Sequence, residues 1–307
     1  MRLLTRGSAL ALIQAELMAE PLRQRGEKVE IVPWSTRGDR DVQSPLPSFG
    51  GVGAFSSCIS GALMEGMGEG AVHSLKDLPS RCREGLDVAA VLPRDWEKDM
   101  LVPRKERTLE TLPAGAVVGT SSPRRKAQLL RSRPDLEVRD IRGNLPTRLK
   151  KLEEEGYDAI ILAAAGLERL GVLPREAVPL PFLPAPCQGI IALEAPAGSD
   201  LFELGRTFTH RETHLCSMAE RALLRRLNVG CHLPFAALAR LEDNVLTLEA
   251  EILHPLGTKT LSLSCRGPVR SEEEALRAGE ALGERFTDHP EWAELYSYTR
   301  PGGEVKP

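Results

Sequence analysis

Short apolar runs alternate with stretches in which apolar residues recur at helical spacing, and this order appears twice in the first half of the chain. The runs predict β-strands and the spaced stretches predict α-helices. The first round predicts a strand at 3–5, a helix from Ser8 to Arg25, a strand at 29–34, a helix at 57–67 and a strand at 71–75. The second predicts a strand at 116–119, a helix near 123, a strand at 136–141, a helix at 147–155 and a strand at 157–163.

The two rounds also share their helix starts. Ser8 in one, and Ser121 or Ser122 in the other, can cap the following helix, and Pro123 suits a first helical turn. Alternating strands and helices predict parallel sheets with right-handed connections. Two such α/β domains side by side predict a cleft, with ligands at the carboxyl ends of the strands.

The last third of the chain has a different pattern. A charge-rich helix is predicted at 207–227, and alternating polarity then predicts an antiparallel meander of strands at 235–241, 245–253 and 259–265. An amphipathic helix at 271–286 completes a small α+β domain. The residues from Thr299 onward are predicted to form a loose tail.

Composition narrows the class of protein. A chain of 307 residues exceeds the usual size of one hydrophobic core, so two or three domains are expected. A net charge of −3 and an aromatic content of 4% do not favour nucleic acid or an anionic membrane as a partner. The first residues lack the apolar core of a secretory signal, and no apolar run approaches the ~18–20 residues of a membrane span. The six cysteines form no C-x-x-C pair, which indicates reduced thiols and a cytoplasmic protein.

Arginine dominates the basic residues, with 31 arginines and 9 lysines in a total of 40. Arginine binds carboxylates and phosphates through paired hydrogen bonds, although a GC-rich genome would favour arginine codons everywhere. Residues 120–150 hold nine basic and three acidic side chains, a local charge of +6. There Arg124 and Arg125 would lie at a helix N-terminus, where the helix dipole disfavours cations. An anionic ligand, assisted by Arg142 and Arg148, explains this arrangement, and a solvated basic face is the alternative.

Two further segments carry candidate chemistry. Lys76 and Asp77 follow a predicted strand at the cleft edge, where Asp77 could accept a proton or stabilise a cation. A surface ion pair would have the same pattern. Cys231 follows Gly230 in a predicted turn, so it is either a reactive thiol or a small buried residue.

Two other patterns do not match known ligand motifs. His210 and His214 are spaced like zinc ligands, but the segment lacks the glutamate of H-E-x-x-H, so no metal is expected. The glycine-rich loop at 48–55 fits neither a dinucleotide fingerprint nor a Walker loop, which favours a flexible lid.

Taken together, these segments closely resemble hydroxymethylbilane synthase, also called porphobilinogen deaminase, along nearly the whole chain. The motifs that carry the resemblance are Thr5-Arg6-Gly7-Ser8, Thr36-Arg37-Gly38-Asp39, His73-Ser74-Leu75-Lys76-Asp77-Leu78-Pro79, Gly119-Thr120-Ser121-Ser122-Pro123-Arg124-Arg125, Ile141-Arg142-Gly143-Asn144, Gln188-Gly189 and Gly230-Cys231. Several motifs in one order identify a family far more specifically than any one of them.

The resemblance implies an α/β fold in which two domains similar to class II periplasmic binding proteins flank a cleft, followed by a small α+β C-terminal domain. It implies a first domain at 1–95 with a return segment at about 190–212, a second at 98–188 and a cofactor-bearing third at 215–307. It also implies a covalent dipyrromethane cofactor, joined by a thioether to Cys231. Onto it four porphobilinogen units are condensed with loss of ammonia, in haem biosynthesis. The expected partner of this monomer is the small-molecule substrate, with no nucleic acid and no membrane.

Each pyrrole of such a product carries an acetate and a propionate, so the growing chain is a polyanion that needs many cationic partners. The residues that the resemblance assigns to the substrate are Arg6, Ser8, Arg142, Arg148 and Arg169, and those assigned to the cofactor, besides Cys231, are Arg124, Arg125, Lys76 and Ser122. Asp77, with Lys76 beside it, matches the catalytic carboxylate, which stabilises the cation left when ammonia departs.

Some positions depart from the family pattern. The two lysines of the family's lid are replaced by Val52 and Ser57. Two positions that are commonly glycine are Cys187 and Val229. Exposed charge pairs contribute only about 0.2–1 kcal/mol each, so we expect an active enzyme with weaker substrate capture.

Two alternatives come from other classes of protein. A solute-binding or ligand-sensing module could share the cleft, but it would need neither Asp77 nor Cys231. A degenerate homologue could bind porphobilinogen without polymerising it. A covalent dipyrrole adduct on the purified protein would separate the enzyme from both.

Overall fold

The computed structural model describes residues 1–34, 54–230 and 233–298. The first unit contains β1 (Arg2–Arg6), α1 (Ala9–Arg23), β2 (Glu30–Trp34), α2 (Ala54–Met64), β3 (Gly70–Ser74), β4 (Leu86–Val91), β10 (Ile191–Pro196) and α6 (Asp200–Arg206). The second contains β5 (Asp99–Pro103), β6 (Val117–Gly119), α3 (Pro123–Ser132), β7 (Glu137–Arg139), α4 (Leu145–Glu154), β8 (Ala159–Ala163), α5 (Ala164–Arg169) and β9 (Val178–Pro179). The third contains α7 (Arg211–Leu227), β11 (Phe235–Glu242), β12 (Val245–Leu253), β13 (Thr260–Pro268), α8 (Glu272–Thr287) and α9 (Trp292–Ser297).

The first two units have sheets of the same topology. Their strand orders are β2-β1-β3-β10-β4 and β7-β6-β8-β5-β9. In each sheet the first three strands are parallel, as predicted, whereas the fourth runs antiparallel to both of its neighbours. The prediction of purely parallel sheets was therefore wrong, while the predicted α/β class is confirmed.

The antiparallel direction of β5 and β10 follows from the way the chain connects the two units. β4 and β9 end at the carboxyl edges of their sheets, and from there the chain crosses to the other unit. The next strand, β5 or β10, enters at the carboxyl edge of its new sheet, so it must run against the parallel strands. Both crossing segments therefore lie at the edge where ligands bind in such folds.

The serine caps form largely as predicted. Ser8 Oγ accepts a hydrogen bond from the Ala11 N–H at 3.3 Å, and Ser122 Oγ accepts one from the Arg125 N–H at 3.4 Å. The helix predicted at 207–227 is present as α7, which spans Arg211–Leu227 and so begins slightly later than predicted. His210 caps this helix by accepting a hydrogen bond from the Thr213 N–H, and α6 ends before it, at Arg206.

The third unit is the antiparallel meander that the sequence predicts, with β12 between β11 and β13. Helices α7 and α8 cross closely at Gly279, where an added Cβ would lie 2.1 Å from the Ala219 carbonyl oxygen. Helix α9 was not predicted; its Trp292 packs into the core of this unit.

The third unit contacts both of the others. Arg221 and Arg225 of α7 donate to the carbonyl oxygens of Pro79 and Ser80 at 2.9 and 3.1 Å, in the loop that follows β3. Arg131 of α3 pairs with Glu251 of β12 at 2.8 Å. These contacts hold the third unit beside the edge where the first two units meet. Within the described ranges, no helix is both long and apolar enough to cross a membrane.

Candidate active site

The segment after β3 carries the proposed catalytic pair. β3 ends at Ser74, and Leu75–Asp77 form one 3₁₀ turn. Leu75 is buried and its N–H donates to the Ile190 carbonyl oxygen at 2.9 Å, which fixes the turn to the crossing segment. Lys76 is consequently half-buried, while Asp77 is exposed at the carboxyl edge of the sheet. The Asp77 backbone carbonyl accepts from Ser56 Oγ of α2 at 3.0 Å.

The basic pair at the start of α3 faces inward. The side chains of Arg124 and Arg125 are only 4% and 8% exposed, and both contact Asp99, which is fully buried. Arg124 Nη1 donates to Asp99 Oδ2 at 2.7 Å, and Arg125 donates to Asp99 Oδ1 from Nε at 3.0 Å and from Nη2 at 2.6 Å. The sequence predicted an external anion for these arginines, and in the structure the protein itself supplies one.

Gln188 connects this cluster to the other side of the cleft. Its Nε2 donates to Asp99 Oδ1 at 3.0 Å and to the Glu97 carbonyl oxygen at 2.7 Å. Its Oε1 accepts from Lys76 Nζ at 3.3 Å. A continuous path of hydrogen bonds therefore runs from Lys76, in the first unit, through the crossing segment to Asp99 and the arginines of the second unit.

Burial and charge shift the pKa values of several groups here. Burial alone would raise the pKa of Asp99, but Arg124 and Arg125 outweigh it and hold that pKa far below its ordinary value. Burial lowers the pKa of Lys76, and Arg125 lowers it further, while Asp77 opposes both effects. Burial and Arg125 likewise lower the pKa of Arg148. Both shifts come first from burial and then from the neighbouring positive charge of Arg125.

Other predicted residues lie at the same edges. β1 and β3 are parallel neighbours, so Arg6, at the end of β1, lies at the edge that carries Asp77. Ser8 follows, and its hydroxyl oxygen caps α1, as that of Ser122 caps α3. Arg142 lies half-buried in the loop after β7.

Arg169 has a different environment from the other predicted substrate residues. Its Nε donates to Asp95 Oδ2 at 2.8 Å, and its Nη2 donates to the Gly189 carbonyl oxygen at 2.7 Å. Asp95 and Gly189 lie on the two crossing segments. Arg169 therefore ties both segments to α5 in this structure, and a role in substrate binding stays a prediction for it.

Comparison with known proteins identifies the family of this arrangement. The family model described as "Porphobilinogen deaminase, dipyromethane cofactor binding domain" matches residues 1–203, and "Porphobilinogen deaminase, C-terminal domain" matches residues 214–288. The chain belongs to the porphobilinogen deaminase family. Porphobilinogen deaminase of Chromobacterium violaceum is 42% identical over 290 residues, covering 92% of this chain and 93% of the relative. That of Xanthomonas axonopodis pv. citri is 45% identical over 259 residues, covering 82% and 85%.

Solved structures of solute-binding proteins also align with the chain. The second substrate-binding domain of an amino acid ABC transporter from Streptococcus pneumoniae is 15% identical, with a TM-score of 0.44, covering 73% of this chain and 92% of that one. An ancestral cationic amino acid solute-binding protein is also 15% identical, with a TM-score of 0.42, covering 67% and 86%. The fold assignment rests on the sheet topology described above.

Four family positions differ here or lie outside the described residues. Cys231 and Val52 fall outside the described ranges, and Ser57 is exposed on α2. Cys187 is 2% exposed, with a φ of 61° that favours glycine, and burial raises the pKa of its thiol. A buried thiol with a raised pKa is unreactive, so Cys187 is not suited to carry a cofactor.

Asp99 was not predicted as a site residue, and Gln188 was named only as part of a family motif. Asp99 is the first residue of the apolar strand Asp99–Pro103, and no basic residue near it in sequence indicates its arginine partners. For Gln188, the motif Gln188-Gly189 was the feature of the sequence that could have indicated a role in the site. His210 is a helix cap and His214 pairs with Glu272 at 3.1 Å, and the described residues contain no cluster of three metal-ligating side chains.

Proposed function

We propose that this protein is a hydroxymethylbilane synthase that joins four porphobilinogen units head to tail on a covalent dipyrromethane, with loss of one ammonia at each step. The match of both family models across residues 1–203 and 214–288 carries this proposal. The substrate is a small, doubly carboxylated pyrrole, and the product is a linear tetrapyrrole for haem biosynthesis. The assignment of this protein as a cytoplasmic monomer that acts without nucleic acid stays a sequence-based prediction.

The charges at the cleft support binding of the cofactor's carboxylates. Around Lys76 and Asp77, four basic side chains face two acidic ones, Asp77 and Asp99, and the pKa values of Lys76 and Arg148 are lowered. A bound polycarboxylate would compensate this excess of positive charge. We infer that Lys76, Arg124, Arg125 and Ser122 hold the cofactor, and that Cys231 forms the thioether. When bound, the dipyrromethane supplies the pyrrole α-carbon to which the first unit is joined.

The remaining residues act on the incoming substrate. We infer that Arg6, Ser8, Arg142, Arg148 and Arg169 bind its carboxylates. Loss of ammonia from the protonated aminomethyl group leaves a cationic methylene pyrrole, and we infer that the exposed carboxylate of Asp77 stabilises that cation. A new carbon–carbon bond would then form at the methylene carbon, and the attacking pyrrole α-carbon would lose its proton.

The intact mass of the purified protein, together with porphobilinogen consumption, tests this function. We expect a covalent dipyrrole adduct, which an aldehyde reagent for pyrroles will colour, and formation of hydroxymethylbilane. Cys231→Ser should abolish the adduct, whereas the matched variant Cys187→Ser should retain it. A coloured Cys231→Ser protein would overturn the attachment site. An adduct without tetrapyrrole product would identify a homologue that binds but does not polymerise.

A further inference from the structure

The carboxylate of Asp99 pairs with the guanidinium groups of both Arg124 and Arg125. It is fully buried and receives three hydrogen bonds from the two guanidinium groups. The arginines also have acceptors on the backbone: Arg124 Nη1 also donates to the Leu183 carbonyl oxygen at 2.8 Å, and Arg125 Nη1 donates to that of Ile161 at 3.0 Å. A ligand must therefore compete with partners that the arginines already have.

Asp99 cannot simply move aside with the arginines. Gln188, which is 1% exposed, holds Asp99 Oδ1 from the opposite side at 3.0 Å, and the Glu97 carbonyl oxygen fixes the Gln188 amide at 2.7 Å. Asp99 therefore stays in place when a ligand approaches. The side chains of Arg124, Arg125 and Asp99 together carry a charge of +1, whereas the two arginines alone would carry +2. Charge-assisted hydrogen bonds of this kind are about twice as strong as neutral ones, so a ligand carboxylate that must compete with them is held less tightly by the arginines.

We propose that Asp99 is an internal counterion that limits how tightly Arg124 and Arg125 hold carboxylates, so that the growing polyanion can shift through the cleft and leave. This inference rests on the proposed function. It makes Asp99 a positioning residue, which acts on ligands only through the arginines. A purely structural ion pair would instead leave ligand affinity unchanged or weaken it when broken.

Citrate binding by the Cys231→Ser protein, which needs no turnover, tests the counterion directly. Citrate serves as a compact polycarboxylate probe, and calorimetric titration gives its affinity. Asp99→Asn should bind citrate about tenfold more tightly, with a steeper dependence on salt, because the arginines lose their internal competitor. The control is Glu251→Gln. It breaks the ion pair between the buried carboxylate of Glu251 and Arg131, which lies on the same helix as Arg124 and Arg125, and it should leave citrate affinity unchanged. Unchanged or weaker citrate binding by Asp99→Asn overturns the proposal.

A second variant keeps the test decisive if Asp99→Asn does not fold, since it leaves two buried cations unpaired. Asp99→Asn combined with Arg124→Gln removes one charge of each sign. We expect citrate affinity close to that of the parent, because Arg124 is already neutralised there. A loss of about tenfold or more would instead show that Asp99 does not offset the positive charge of Arg124 and would refute the counterion.

Turnover provides a third readout and separates this inference from the proposed function. With Cys231 intact and limiting porphobilinogen, intact mass should show Asp99→Asn accumulating longer enzyme-bound chains than the parent, because release slows. The same distribution in both proteins contradicts the proposal while the function stands. A parent that consumes no porphobilinogen contradicts the function, and the citrate result then decides the role of Asp99 by itself.

Discussion

Replacing Asp77 with asparagine should remove the charge that stabilises the substrate cation and leave the fold intact. The Asp77 side chain is exposed, and the hydrogen bond from Ser56 goes to its backbone carbonyl, which asparagine retains. Exposed substitutions of this kind change the free energy of unfolding by about 0.5 kcal/mol or less. Any large effect on activity would therefore report chemistry and not folding.

The size of the effect follows from the electrostatics of the site. A unit charge about 4 Å from a developing cation contributes about 4 kcal/mol at an effective dielectric constant of 20. Solvent access to Asp77 reduces this value, so a loss of roughly 10²–10³ in rate is expected, as for removal of one preorganised electrostatic group. Lys76 and Arg148, which both interact with Asp77, add to the loss because the variant leaves their positive charge less compensated.

Steady-state kinetics of porphobilinogen consumption measure this prediction. Because the interaction exists only in the transition state, kcat and kcat/KM should fall together. Glu84→Gln is the matched control, since Glu84 is an exposed carboxylate in the loop that follows Asp77. Near-normal turnover by Asp77→Asn, or an equal loss in Glu84→Gln, would show that this carboxylate is not the cation stabiliser. A rise in KM with unchanged kcat would assign Asp77 to binding instead.

Two further predictions concern stability. Gly279→Ala should lower the free energy of unfolding by about 1–3 kcal/mol, because its Cβ would meet the Ala219 backbone. Gly267→Ala is the control for thermal unfolding and should be neutral or stabilising, because a Cβ added there has no atom within 4 Å. Lys76→Met in the Cys231→Ser background should be more stable than its parent at pH 7, because burial lowers the pKa of Lys76 from its ordinary 10.5 and so penalises the charged form in the folded state. That advantage should shrink as the pH rises toward 10.5, and an advantage that is equal at pH 7 and pH 10 would contradict the assigned cause.

Much of the fold was predictable because its signals are local. The serine caps at Ser8 and Ser122, the three strands of the meander and helix α8 depend on residues a few positions apart. The strands β4, β5 and β10 were not predicted. β5 and β10 lie at the crossings between units, where their direction depends on the edge at which the chain enters and not on their own side-chain pattern.

The candidate site divides in the same way. Lys76, Asp77 and the arginines of α3 could be named because strand ends and helix starts are visible along the chain and fall at the carboxyl edges. The charge balance of the site could not be predicted, since Asp99 contacts Arg124 and Arg125 from at least 25 residues away, and Gln188 contacts Asp99 from 89 residues away. Sequence by itself determined to which family the chain belongs, and it predicted which cations line the cleft. Only the tertiary structure decided that two of those cations already hold a buried carboxylate, because partners so far apart in the chain are brought together by the crossing of the chain between the two sheets.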